Sequence, residues 1–159
     1  MIPQIDISNG RPRTFNVLNT LTKFHAFADE TNGKYCLIEA VVPVGAGAPP
    51  HSHPGETEAF FVLEGQVKFL MGAIGPKEVI AKAGDFVAIP DGAIHSFVAI
   101  GDTPARLLVI NAPGHAHAAF FTAVGEVMPD DANEPLPPIA PNGAFVAQEA
   151  ARAGITLVG

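Results

Sequence analysis

Three histidines and a glutamate sit at spacings that could hold a metal ion. His51 and His53 are two residues apart, and in an extended strand the side chains at i and i+2 leave the same face, so both imidazoles can aim at one point. Pro54-Gly55 reads as a turn, after which Glu58, Phe60 and Val62 alternate with Ala59, Phe61 and Leu63 along a second strand. That strand can swing the Glu58 carboxylate back toward the two rings, with Phe60 and Val62 below it. His95 opens a later strand, behind a short apolar strand over residues 86–89 and the turn Pro90-Asp91-Gly92. Three imidazole nitrogens and one carboxylate oxygen form a borderline donor set that accepts iron, nickel, manganese, cobalt, copper or zinc. Such a set leaves one or two positions for water or substrate. The expectation is one divalent transition metal per chain, held by His51, His53, Glu58 and His95.

Other candidates compete for the same chemistry. Glu56 has the parity of Glu58 but falls in the Pro-Gly turn, which favours Glu58 as the ligand. His115 and His117 form a second His-X-His pair, expected to be solvated where a helix opens after a turn, with a second metal site or a place at the cavity mouth as the alternatives. His25 has no evident partner in its neighbourhood. Glu39 and Arg106 lie within apolar strands and are expected at exposed ends. Phe60, Val62 and Phe97 share the parity of the ligands, so they are candidates to line an apolar substrate pocket as well as the core. Cys36, the only cysteine, lies in the apolar run Tyr35-Cys-Leu-Ile and reads as a buried, inert thiol.

The two histidine stretches fit a known pattern. Gly45, five residues, His51-X-His53, four residues, Glu58, six residues and Gly65 match the first signature of the cupins. Gly84, five residues, Pro90-X-Gly92, two residues and His95 match the second, except that the Asn closing it after three more residues is Ala99 here. An eighteen-residue segment, 66–83, joins them. Two multi-residue matches in order make a specific signal, and the chain resembles small single-domain bacterial cupins similar to quercetin dioxygenase. The resemblance covers about residues 34–113. It implies a jelly-roll β-barrel with the metal inside one end.

The supporting elements can be read along the chain. Residues 1–20 suggest an extended arm and an edge strand, and 21–28 a strand ending in the turn 29–33. A long apolar strand follows over 34–44. Strands over 66–71 and 78–82 surround a glycine-rich turn, with Lys68, Lys77 and Lys82 facing outward. Residues 97–100 and 105–111 make the last hairpin. The period then changes, because Phe120, Ala123, Val124 and Val127 fall at i, i+3, i+4 and i+7 of a short helix. Residues 128–143 carry five prolines and read as a loop. A helix over 144–153, stopped by Gly154, and a final short strand complete the reading. The expected fold is therefore all-β, a cupin-type barrel over about 20–113 with one or two short C-terminal helices in an extension over 114–159. The whole of 1–159 forms one domain.

Bulk properties agree and exclude partners. A chain of 159 residues with 16 Gly, 15 Pro and 16% charged residues suits short strands and many turns. Its net charge of -7 opposes binding to nucleic acid or to an anionic membrane. The first residues lack a basic segment followed by an apolar one, so a cytoplasmic protein is expected. Exposed edge strands and the N-terminal arm suggest a homodimer. The resemblance implies a metal-dependent dioxygenase of a small aromatic, quercetin-like substrate, with Glu58 as metal ligand and catalytic base. Two rivals stand beside it: a non-redox isomerase, lyase or cyclase, and a small-molecule-binding protein without turnover.

Overall fold

The computed structural model describes residues 10–158, so the first nine residues of the arm and edge strand expected over 1–20 lie outside the described part. Among the described residues twelve strands and two α-helices are formed, with a 3-10 turn at Ala28–Thr31. In chain order they are β1 (Thr14–Val17), β2 (Thr20–Ala26), β3 (Cys36–Val42), β4 (Gly47–Ser52), β5 (Thr57–Glu64), β6 (Gln66–Met71) and β7 (Lys77–Lys82). There follow β8 (Phe86–Ile89), β9 (His95–Ile100), β10 (Ala105–Ala112), α1 (His115–Val124), β11 (Glu126–Val127), α2 (Gly143–Ala153) and β12 (Thr156–Leu157). One sheet runs β11-β1-β2-β3-β10-β5-β8 and the other β12-β4-β9-β6-β7, with every pairing antiparallel. The expected all-β architecture with short helices is the one observed.

Alternation sets the core. β3 buries Cys36, Ile38, Ala40 and Val42, β5 buries Glu58, Phe60 and Val62, and β10 buries Ala105, Leu107, Val109 and Asn111. Phe24, Phe60, Phe69, Val67 and Leu107 are among the buried residues between the sheets. Each large apolar side chain removed from water in this way contributes about 2–3 kcal/mol relative to exposure. Ala99, where the cupin signature has Asn, is buried in this core and apolar like its neighbours. The change therefore removes a polar group from a packed interior.

Two local features differ from expectation. The helical period suggested that Val127 belongs to α1, but Gly125 ends the helix in an extended conformation and Val127 pairs with Phe15 in β11. Strand pairing outweighs one more matched position in a helical stripe. His25 was expected without a partner, yet its Nε2 lies 2.8 Å from Glu39 Oε2. A register shift between Phe24 and Ala26 brings them together across β2 and β3. Glu39 also accepts from Arg106, so these charges form a network on the outer face of the sheet rather than separate exposed ends. Arg106 remains 43% exposed, so this is not a buried pair.

Close approach of β4 and β9 requires a glycine. A Cβ at Gly47 would lie 1.9 Å from the Phe97 carbonyl oxygen, a backbone atom that cannot turn away. Gly47→Ala should cost about 3 kcal/mol, read by chemical denaturation; an unchanged midpoint would refute the contact.

The edge of the barrel is tied by an ion pair that is largely withdrawn from water. Arg13 donates to Glu30 through both terminal guanidinium nitrogens, and the Phe27 N–H donates to Glu30 Oε1 at 2.9 Å. Their side chains are only 10% and 12% exposed. Burial pushes the Glu30 carboxyl up, but the bonds from Arg13 and Phe27 outweigh it and hold the group below its ordinary value. A depressed folded pKa stabilises above the unfolded value, and that stability is lost as pH falls through the folded one. Glu30→Gln should therefore destabilise by about 2 kcal/mol at neutral pH. It should also flatten the acid side of the stability curve below about pH 4.5. Parallel acid curves for the two proteins would refute the coupling. Among the described residues, no helix is long and apolar enough to cross a membrane.

Candidate metal centre

The four sequence-selected donors converge at one end of the barrel. β4 carries His51 and leads into His53, β9 opens with His95, and β5 supplies Glu58 from the opposite sheet. His51 pairs in register with His95. One ligand atom from each of the four lies within 4.8 Å of the others. Glu58 Oε2 stands 2.9 Å from His53 Nε2 and 3.0 Å from His95 Nε2. The His51 and His95 rings are 4.3 Å apart between centroids.

Backbone carbonyls decide which nitrogen of each ring is free. His51 Nδ1 lies 2.8 Å from Pro49 O, His53 Nδ1 3.1 Å from Glu56 O, and His95 Nδ1 3.0 Å from Ala93 O. A carbonyl only accepts, so each Nδ1 carries a hydrogen and donates, which leaves Nε2 as the lone-pair nitrogen of a neutral ring. Three lone pairs and a carboxylate then face one another in a buried space. That arrangement repels itself unless a cation or a proton lies between, and it is the outer hydrogen bonding that metal-bound histidines require. The residues fit a divalent metal.

Electrostatics point the same way. Burial, followed by the neighbouring His95 ring, pushes His51 down to about 4, so it is a neutral donor at physiological pH. Burial also works against charge on Glu58, but the His117 ring and the bonds with His53 and His95 outweigh it and hold the carboxyl well below its ordinary value. For His53, burial is outweighed by Glu58, and the ring is raised.

Residues 38–111 match the family model described as Cupin domain. That stretch is a cupin domain. An uncharacterised protein of Methanocaldococcus jannaschii is 33% identical over 84 residues, covering 53% of this chain and 65% of that protein. Quercetin 2,3-dioxygenase of Bacillus subtilis is 26% identical over 106 residues, 67% of this chain and 30% of the enzyme. The chain thus spans less than two thirds of either relative. A solved structure described as a predicted oxalate decarboxylase from Thermotoga maritima superposes with a TM-score of 0.58 at 22% identity, covering 65% of this chain and 94% of that one. At that identity the likeness is one of fold.

Beside the four donors stands a further histidine, beyond the matched residues. His117, expected in a solvated pair, is 3% exposed, whereas His115 is exposed as expected. Glu56 is buried too, and its carboxylate bonds to α1 while lying within 4.8 Å of His53 and His117 ring nitrogens. Its Oε1 accepts from the Ala116 N–H at 2.7 Å and its Oε2 lies 2.6 Å from His117 Nδ1. The carboxylate thus satisfies an orphan donor at the start of α1, where negative charge is favoured. It also aims His117 Nε2 toward Glu58 Oε1, 3.6 Å away. The spacing of 61 residues between Glu56 and His117 hid this pair; the one sequence signal was that Glu56 shares the parity of Glu58.

The remaining assignments concern the interior. Phe60 and Val62 are fully buried and Phe97 partly so. The Phe60 ring stands 5.0 Å from Phe69 and 5.4 Å from Phe97, so these rings pack on one another beneath the donors. Cys36 is buried, and burial first, then the Glu56 charge, pushes its thiol up to about 12. An inert core cysteine is what the sequence suggested.

Proposed function

We propose that this cupin domain binds one divalent transition metal through His51, His53, His95 and Glu58 and acts as a dioxygenase on a small phenolic substrate. The observation that carries the reading is the outward pinning of all three Nδ1 atoms, which turns three Nε2 lone pairs toward one carboxylate. The likeness to quercetin 2,3-dioxygenase over 67% of the chain supports the choice of reaction. A bound redox-active ion would lower the pKa of a substrate hydroxyl and open the activated substrate to oxygen.

The protein's own groups supply the rest. His51, His53 and His95 act as fixed neutral donors, their tautomer set by Pro49, Glu56 and Ala93. Glu58 engages His53 and His95 through Oε2, which leaves Oε1 to accept the proton of the substrate hydroxyl. His117 Nε2 faces that oxygen, and Glu56 keeps the ring in place. Phe60, Val62 and Phe97 form an apolar layer beneath the donors, suited to packing against an aromatic ring.

The test is elemental analysis of untagged protein followed by oxygen uptake with a flavonol and with simpler phenols. Stoichiometric redox metal with substrate-dependent uptake is the expected result. Stoichiometric metal without uptake would replace the dioxygenase by a non-redox reaction or by ligand binding. No metal under any loading condition would refute the centre itself.

A further inference from the structure

Asn111 is fully buried, and neither its carboxamide oxygen nor its nitrogen has a hydrogen-bond partner among the described residues. A buried amide left unpaired is destabilising, and leucine of similar volume would avoid that cost, so the polar group calls for a reason. Its position supplies one. On β10 the inward residues Ala105, Leu107 and Val109 are apolar, and the polar side chain comes only at the level of the donors. Asn111 lies across from Glu58 in the pairing of β10 with β5, and across from Cys36 in the pairing with β3. Side chains directly opposite in antiparallel strands have Cβ atoms about 4.5–5.5 Å apart and share a face.

The neighbours do not meet its need. Glu58 Oε2 is engaged by His53 and His95, and no bond joins Glu58 to Asn111. Both oxygens of Glu56 are taken by α1. Cys36 offers only a neutral thiol. A donor and an acceptor therefore stand beside the one carboxylate of the cluster, aimed into the barrel.

We propose that Asn111 is a ligand-binding residue that holds the small molecule bound at the metal. The ligand class is a molecule with two neighbouring oxygens, such as a catechol or a hydroxy-ketone, one oxygen for the cation and one for the carboxamide. The proposal rests on the metal reading above and adds a specificity element to it.

Zinc-loaded protein of residues 1–159 would be titrated with 4-nitrocatechol, followed by its absorbance, and with imidazole, which offers the metal a nitrogen and Asn111 nothing. Asn111→Leu should keep the zinc and the imidazole affinity and lose at least about tenfold in 4-nitrocatechol affinity. Asn111→Ser, which puts a hydroxyl in place of the carboxamide, should recover part of it. If the leucine variant does not fold, Asn111→Ala carries the same comparison. Unchanged 4-nitrocatechol affinity with zinc retained would overturn the proposal and leave Asn111 to a structural water. Equal loss of both probes, or loss of zinc, would also overturn it, because the residue would then support the cluster rather than the ligand. Zinc-loaded wild type that binds imidazole but not 4-nitrocatechol would overturn this proposal alone, whereas wild type that takes up no zinc would overturn the metal reading and this one with it.

Discussion

His95→Ala should abolish stoichiometric metal while leaving a folded barrel. Removing a partner from the outer hydrogen-bond layer of a metal site already costs about 10–100-fold in affinity. Removing a donor should therefore cost at least about a hundredfold. His95 is the choice because it opens β9, whereas His53 lies beside the turn that also places Glu56 and Glu58. Its ring is fully buried, so the deletion leaves a cavity worth about 2 kcal/mol. Circular dichroism would report the fold, and elemental analysis with calorimetric titration the metal. A variant that binds metal as the wild type does would remove His95 from the ligand set.

Glu58→Gln separates charge from shape at the centre. The amide occupies the volume of the carboxylate and can still offer an oxygen, so part of the metal should remain. It can neither hold a proton nor oppose the His53 and His117 rings electrostatically. If Oε1 is the base, turnover should fall by about 10²–10⁴ at constant metal content, with KM for the phenol little changed. Steady-state oxygen uptake, normalised to bound metal, is the measurement. Turnover per metal equal to wild type would eliminate the base role and leave Glu58 as a ligand only.

The centre was legible in the sequence because its parts are encoded locally. The i, i+2 spacing put His51 and His53 on one face, turn chemistry at Pro54-Gly55 and Pro90-Asp91-Gly92 set where the next strands start, and parity selected Glu58, Phe60 and Val62. Even the acceptors for the three Nδ1 atoms are local, two or three residues from each ring. They were invisible all the same, because every residue has a carbonyl and only the path of the chain decides which one faces a ring.

Tertiary structure decided what lies around that centre. Glu56 and His117 meet across 61 residues because α1 folds over the end of the barrel, which no periodicity in either segment announces. The register shift in β2 and β3 gave His25 its carboxylate, and the pairing of β10 with β5 set Asn111 beside Glu58. The sequence by itself determined the all-β barrel, its turns and the four donors, since alternation and turn residues act over a few positions. Which distant polar groups face those donors depended on strand register and helix docking, and these are set by the packing of the whole core.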